Sequence, residues 1–181
     1  MTERKKNIIC NIFLTVSITL LAYVFITIFY LYCFNRLEVK EYERVSLDIP
    51  AMEYTLTKDE AKKLIKDIYR TPHFYKEVGK FPDRRDAESV VFIRLVKVEK
   101  DLSLENYVMA YAHELTHLKF MYGDETMTVF KTFVMLYESG NAELQHIALK
   151  DAQDIINGGY KGTDYDCSYY IIEYLKEKGG I

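Results

Sequence analysis

His113-Glu114-Leu115-Thr116-His117 forms an H-E-x-x-H pentapeptide inside the apolar run from Tyr107 to Tyr122. On a helix, residues four apart share a face, so His113 and His117 aim two imidazoles at one point. That spacing suits a single Zn²⁺ about 2 Å from one ring nitrogen of each histidine. Glu114 sits about 100° around the helix, beside such an ion, which makes it the candidate general base toward a metal-bound water. The flanks weigh against two histidines satisfied by hydrogen bonds alone. Tyr107, Val108, Met109, Ala110, Tyr111 and Ala112 precede the motif, and Leu118, Phe120 and Met121 follow it. A helix apolar on most sides is a buried one. Two histidines and a glutamate buried there are costly unless something pairs them, and a metal ion does so.

A catalytic Zn²⁺ takes three protein ligands and keeps one open position. Gly123 reads as the residue that closes the motif helix. Asp124 then caps a second helix starting at Glu125, expected to carry Met127, Phe130, Val134 and Tyr137 inward and to end before Gly140. The short connection folds the two into a helical hairpin. Glu125 opens the returning helix, with Thr128 and Thr132 on its face and small enough to leave room beside an ion. It ranks first as third ligand, Glu138, at the far end of the returning helix, second, and the neighbouring Asp124 third; the alternative for Glu125 is a first-turn acid favoured only by the helix dipole. Two imidazoles and a carboxylate also accept Mn²⁺ or Fe²⁺.

HELTH, a short turn and an acid opening the next helix resemble the zincin-like metallopeptidases that use a Glu as third ligand, and look most like small membrane-anchored bacterial members of unassigned substrate. The resemblance covers about residues 103–140. It implies that His113, His117 and Glu125 bind zinc and that Glu114 activates water. The chain departs from better-known members in its small domain and in Thr126-Met127, where those have Ala-Asn or Ala-Asp after the acid. No H-x-x-G-x-x-H extension follows the motif, which excludes the metzincin type.

Upstream, Thr57-Lys58-Asp59-Glu60 is a capping box, and Ala61, Leu64, Ile65 and Ile68 continue it as an amphipathic helix over about 58–70, stopped by Thr71-Pro72. His73 to Glu88 reads as a loop, in which His73 is a candidate substrate or metal contact or simply an exposed histidine. Ser89 to Glu99 reads as one strand, buried on both faces near its start, that lines the cleft and pairs with an extended substrate. Ser103 caps the motif helix. Downstream, Glu138 to Asn141 is a turn. Leu144, Ile147, Ala148, Asp151 and Ile155 mark a further helix ended by Asn157-Gly158-Gly159, and a last helix covers about 164–178 with Tyr169, Ile172 and Leu175 inward. Peptide hydrolysis also needs a donor for the developing oxyanion. Tyr160, Tyr165, Tyr169 and His146 are the candidates. Cys167, alone in the domain, reads as a small buried residue rather than a ligand or nucleophile.

Residues 8–34 carry no charged side chain. At helical rise they span about 40 Å against a hydrocarbon core of about 30 Å, which predicts one uncleaved transmembrane helix. The cluster Arg4, Lys5 and Lys6 orients the amino terminus inward and the domain outside the cytoplasm. The chain therefore divides into a cytoplasmic flank (1–7), a bilayer-spanning helix (8–34), a tether (35–56) and a zincin-like metallopeptidase domain (57–181). The net charge is −3 for the whole chain. Residues 1–7 contribute +2, so the remainder is near −5 with no basic cluster, which argues against nucleic-acid binding.

The expected fold is α+β, mostly helical: a minimal zincin-like domain behind an N-terminal transmembrane helix. The expected function is a membrane-anchored zinc peptidase that acts on a peptide or protein near the membrane. The competing expectation is a non-catalytic, membrane-tethered binding or assembly module braced by a structural metal site.

Overall fold

The computed structural model describes residues 13–27, 37, 40–83, 85–121, 123–161, 163 and 165–181. The chain divides into two compact units, Met1–Asn35 and Arg36–Ile181.

In the first unit, a helix (α1) covers 13–27. The described stretch is about 22 Å long at 1.5 Å per residue, against a hydrocarbon thickness of ~30 Å. Among the described residues, no helix is long and apolar enough to cross a membrane. The single-pass membrane placement expected over 8–34 is therefore not supported, and with it falls the assignment of the domain to the far side of a bilayer. Positions 8–12 and 28–34 of that expectation lie outside the described residues.

The second unit is α+β and mostly helical. Its order is α2 (Lys58–Tyr69), β1 (Phe74–Val78), β2 (Ala87–Val90), a 3₁₀ turn (Val91–Ile93), β3 (Leu95–Glu99), α3 (Leu104–Phe120), α4 (Glu125–Tyr137), α5 (Ala142–Ile156) and α6 (Ser168–Glu177). The helix starts follow from local chemistry. Thr57 and Glu60 close a reciprocal capping box on α2. Ser103 accepts the Asn106 amide at the start of α3, Asp124 the Met127 amide on α4, and Asn141 the Leu144 amide on α5. Each side chain satisfies an amide that the first helical turn leaves without a partner.

The sheet has the order β1-β3-β2. β3 is central, parallel to β1 (Tyr75 opposite Val96) and antiparallel to β2 (Ser89 opposite Val96). Val96 and Val98 alternate inward and are fully buried. α3 packs on β2 and β3 and also against α2, α4 and α5, so the motif helix is the centre of the unit. The core continues through Ile65 and Tyr69 of α2, Tyr111 and Leu115 of α3, Phe133 and Leu136 of α4, Ile147 and Ile155 of α5, and Ile171 and Leu175 of α6.

Several expectations are corrected. The single strand Ser89–Glu99 is a hairpin, β2 and β3 joined by the four residues Val91–Arg94. Phe92 is 96% exposed at its tip, and Arg94 takes a left-handed conformation (φ 51°). Turn geometry thus overrides the apolar run, which is not buried on both faces. Residues 74–78, read as loop, form β1, an edge strand that exists through its pairing with β3. Met121 (φ 54°), not Gly123, ends α3 in the left-handed region. α4 buries Thr126, Thr128, Val129, Thr132, Phe133 and Leu136, while Phe130, Val134 and Tyr137 of the expected stripe pack half-buried against the core. Residues 40–57 lack regular structure until α2 begins, yet they do not hang as a tether. Leu47 is buried, the Leu47 amide donates to Gln153, the Thr55 and Leu56 amides donate to Glu143, and the Pro50 carbonyl bonds His146.

Candidate metal centre

α3 supplies His113 and His117 from consecutive turns, and α4 supplies Glu125 from its first turn. His113 Nε2 lies 3.0 Å from His117 Nε2 and 3.0 Å from Glu125 Oε2, and the His117 Nε2–Glu125 Oε2 distance is 3.4 Å. Ligand atoms around a tetrahedral Zn²⁺ at 2.0–2.1 Å stand about 3.3 Å apart, so this triangle has nearly the required edge. Among the described residues, it is the one His, Cys, Asp and Glu group close enough to share an ion.

The donor set fits a cation for a second reason. Glu125 Oε2 is buried and makes no hydrogen bond of acceptable geometry. Its closeness to the imidazoles is proximity without alignment. A buried carboxylate oxygen that lies 3.0 and 3.4 Å from two ring nitrogens without an aligned hydrogen bond is costly, and a shared cation removes that cost. Burial raises the Glu125 carboxyl, but the neighbouring His113 and His117 outweigh it and hold it at about 2. The acid is therefore ionised at neutral pH, as a metal ligand must be.

The other two acids are engaged elsewhere. Asp124 Oδ2 accepts the Leu37 and Met127 amides at 2.9 and 3.1 Å. Glu138 Oε1 accepts from the Tyr174 hydroxyl and Lys178 Nζ at 2.6 and 2.7 Å.

A cleft of about 410 Å³ adjoins the cluster. His113 and Glu114 line it, facing Asp151 of α5, Arg85 and Asp86 just before β2, and Tyr165. His117 and Glu125 do not line it, so His113 is the member common to cluster and cleft. Glu114 thus stands one residue from a metal-type ligand with its side chain toward open space.

No family model, no curated protein and no solved structure matches the chain.

The candidates for stabilising an oxyanion separate cleanly. Tyr160 and Tyr165 line the cleft, and the Tyr165 ring lies 6.4 Å from that of His113. Tyr169 is outside it, packed against Tyr170 with Lys40 over its ring. His146 is buried between the Tyr54 hydroxyl and the Pro50 carbonyl. His73 is likewise engaged, bonding the Thr71 carbonyl and the Tyr111 hydroxyl, and burial lowers its pKa. Cys167 is fully buried at the start of α6, and burial pushes its thiol up, away from nucleophile or ligand chemistry.

Asp151 is a cleft residue that the sequence reading did not single out as functional. Burial, and then Asp154, push its carboxyl up to about 6, with His113 acting in the opposite direction. The signal was present, because Asp151 falls within the inward stripe Leu144, Ile147, Ala148, Ile155, where an acid is out of place.

Proposed function

We propose that this chain is a zinc-dependent peptidase built on a minimal zincin-like domain. The observation that carries the proposal is the convergence of His113, His117 and Glu125 beside a cleft that His113 and Glu114 line. His113, His117 and Glu125 would hold the ion. When bound, Zn²⁺ supplies a Lewis acid for the scissile carbonyl and brings the pKa of water toward neutrality. Glu114 accepts the proton of the attacking water and delivers it to the leaving amine nitrogen.

The sheet supports a role for an extended substrate, on the first arm of the stretch expected from sequence rather than on the second. β3 is paired on both sides and has no edge to offer. β2 is an edge strand, and Ala87 at its start lines the cleft. A peptide added to β2 would gain main-chain hydrogen bonds while its scissile bond lies near Glu114. Tyr165, which lines the same cleft with its ring 6.4 Å from that of His113, is the hydroxyl donor we assign to the developing oxyanion.

The test is Glu114→Gln, assayed by mass spectrometry on a mixed peptide library, with zinc content measured in parallel. The variant is expected to keep one equivalent of zinc and lose cleavage. A parent that binds zinc but yields no cleavage dependent on Glu114 would instead favour a binding module with a structural metal.

A further inference from the structure

Between α3 and α4 runs a seam of buried hydroxyls in an otherwise apolar contact. Thr116, Thr128 and Thr132 are 0%, 0% and 1% exposed. Thr116 Oγ1 lies 2.9 Å from Thr132 Oγ1 and 2.8 Å from the Tyr69 hydroxyl. Thr132 donates to the Thr128 carbonyl at 2.8 Å, and Thr128 donates to the Asp124 carbonyl at 2.8 Å. One member reaches the candidate metal centre: Thr128 Oγ1 lies 3.4 Å from His117 Nδ1.

The direction of that last contact follows from proton counting. A threonine hydroxyl has one hydrogen and two lone pairs. The Thr128 hydrogen is committed to the Asp124 carbonyl, the shorter contact of the two. Toward His117 the Thr128 oxygen is therefore offered as an acceptor, which favours the proton on Nδ1 and leaves His113 Nε2 to donate across the 3.0 Å contact with His117 Nε2 while no ion is bound. In a neutral imidazole the other nitrogen is then an acceptor. That nitrogen, Nε2, is the atom that faces His113 Nε2 and Glu125 Oε2. The opposite tautomer would point an N–H into the cluster and take His117 out of a ligand set.

Resting on the proposed zinc site, we infer that Thr128 is a positioning residue that fixes the His117 tautomer, keeping the Nε2 lone pair aimed at the ion. The register explains why this residue serves. Thr128 lies three residues after Glu125, so one helical face presents both the carboxylate and the hydroxyl to α3. The Asp124 cap fixes that first turn and offers its carbonyl to the Thr128 hydroxyl. Partners of this kind on metal-binding histidines set ring orientation, and losing one costs about 10–100-fold in metal affinity.

The experiment uses the full chain, Zn²⁺ as probe, and competition against a chromophoric chelator. Thr128→Val keeps the side-chain shape and removes the acceptor. It is expected to weaken zinc binding by about 10–100-fold. Thr128→Ser restores the acceptor and is expected to bind as the parent does. Thr132→Val removes a buried hydroxyl of the same seam that does not touch His117, and is expected to leave zinc affinity unchanged. Long-range ¹H–¹⁵N spectra of the metal-free chain at alkaline pH add a readout independent of affinity. His117 is expected as the Nδ1–H tautomer in parent and Thr128→Ser, and shifted toward Nε2–H in Thr128→Val. Equal zinc affinity in Thr128→Val and parent would overturn the inference and leave the metal site standing, as would equal losses in Thr128→Val and Thr132→Val. A parent that binds no zinc would remove the site itself. Should Thr128→Val fail to fold, the spectrum of the zinc-loaded parent decides, because a His117 that binds through Nδ1 and keeps its proton on Nε2 refutes the assignment.

Discussion

Asp151→Asn offers a quantitative check on the cleft. Asp151 belongs to α5 and lines the cleft with His113 and Glu114, and among the described residues it has no ion pair. Burial, with Asp154 next, lifts its carboxyl from 3.8 to about 6. At pH 7 the acid is ionised both in the folded and in the unfolded chain, so the fold carries the whole penalty. At about 1.4 kcal/mol per pH unit of displacement, that penalty is about 2–3 kcal/mol. The sign is fixed by proton uptake. Between about pH 4 and 6 the folded chain binds more protons at this site than the unfolded chain does, so stability falls as pH rises through that window and is unaffected by Asp151 below it. Asparagine keeps the size and discards the charge. In the metal-free protein, Asp151→Asn is therefore expected to be about 2–3 kcal/mol more stable than the parent at pH 7, with the advantage shrinking from pH 6 and gone below pH 4. Urea unfolding in the presence of a chelator, at intervals from pH 3.5 to 7.5, measures it. A variant less stable than the parent at pH 7, or an advantage that does not change with pH, would refute the reasoning. A confirmed penalty would also mean that the fold tolerates a costly acid where the cleft meets the histidines.

Three other outcomes follow. Tyr165→Phe is expected to lower kcat about 10²-fold with zinc content and KM little changed, read from steady-state cleavage of whichever library peptide the parent cuts. Leu115→Ala empties a fully buried position inside the motif and is expected to cost about 2–5 kcal/mol, seen as a lower urea midpoint. Thr57→Ala removes the α2 capping box and is expected to cost about 1 kcal/mol by the same assay, with zinc content unaffected.

What the sequence made legible was local. Thr57, Ser103 and Asp124 cap the helices they were expected to cap, because capping is chemistry over three or four residues. The two imidazoles needed only the 3.6-residue period to share a face. The misread parts depended on distant partners. On α4 the apolar period marked Phe130, Val134 and Tyr137, which pack half-buried, and did not reveal that Thr126, Thr128 and Thr132 would be fully buried. β1 has an exposed Phe74 and no alternation worth the name; it is a strand because β3 lies beside it. The apolar letters from Val90 to Val98 hid a hairpin, because four of the residues there were needed for the turn. The 40–57 segment looked like a tether because its anchors, Gln153, His146 and Glu143, are about a hundred residues away in the chain. The expected membrane span came from an uncharged run alone, and the described helix there is too short to cross.

The central claim is that one divalent ion is held by two imidazole nitrogens and one carboxylate oxygen. X-ray absorption at the zinc edge of the zinc-loaded full chain tests it most directly. The expected spectrum has a shell of nitrogen and oxygen neighbours only, at about 2.0–2.1 Å, with the outer-shell signature of two imidazoles, and that shell is lost in Glu125→Ala and His117→Ala. A sulfur neighbour at about 2.3 Å, or a spectrum unchanged when His117 and Glu125 are replaced, would contradict it.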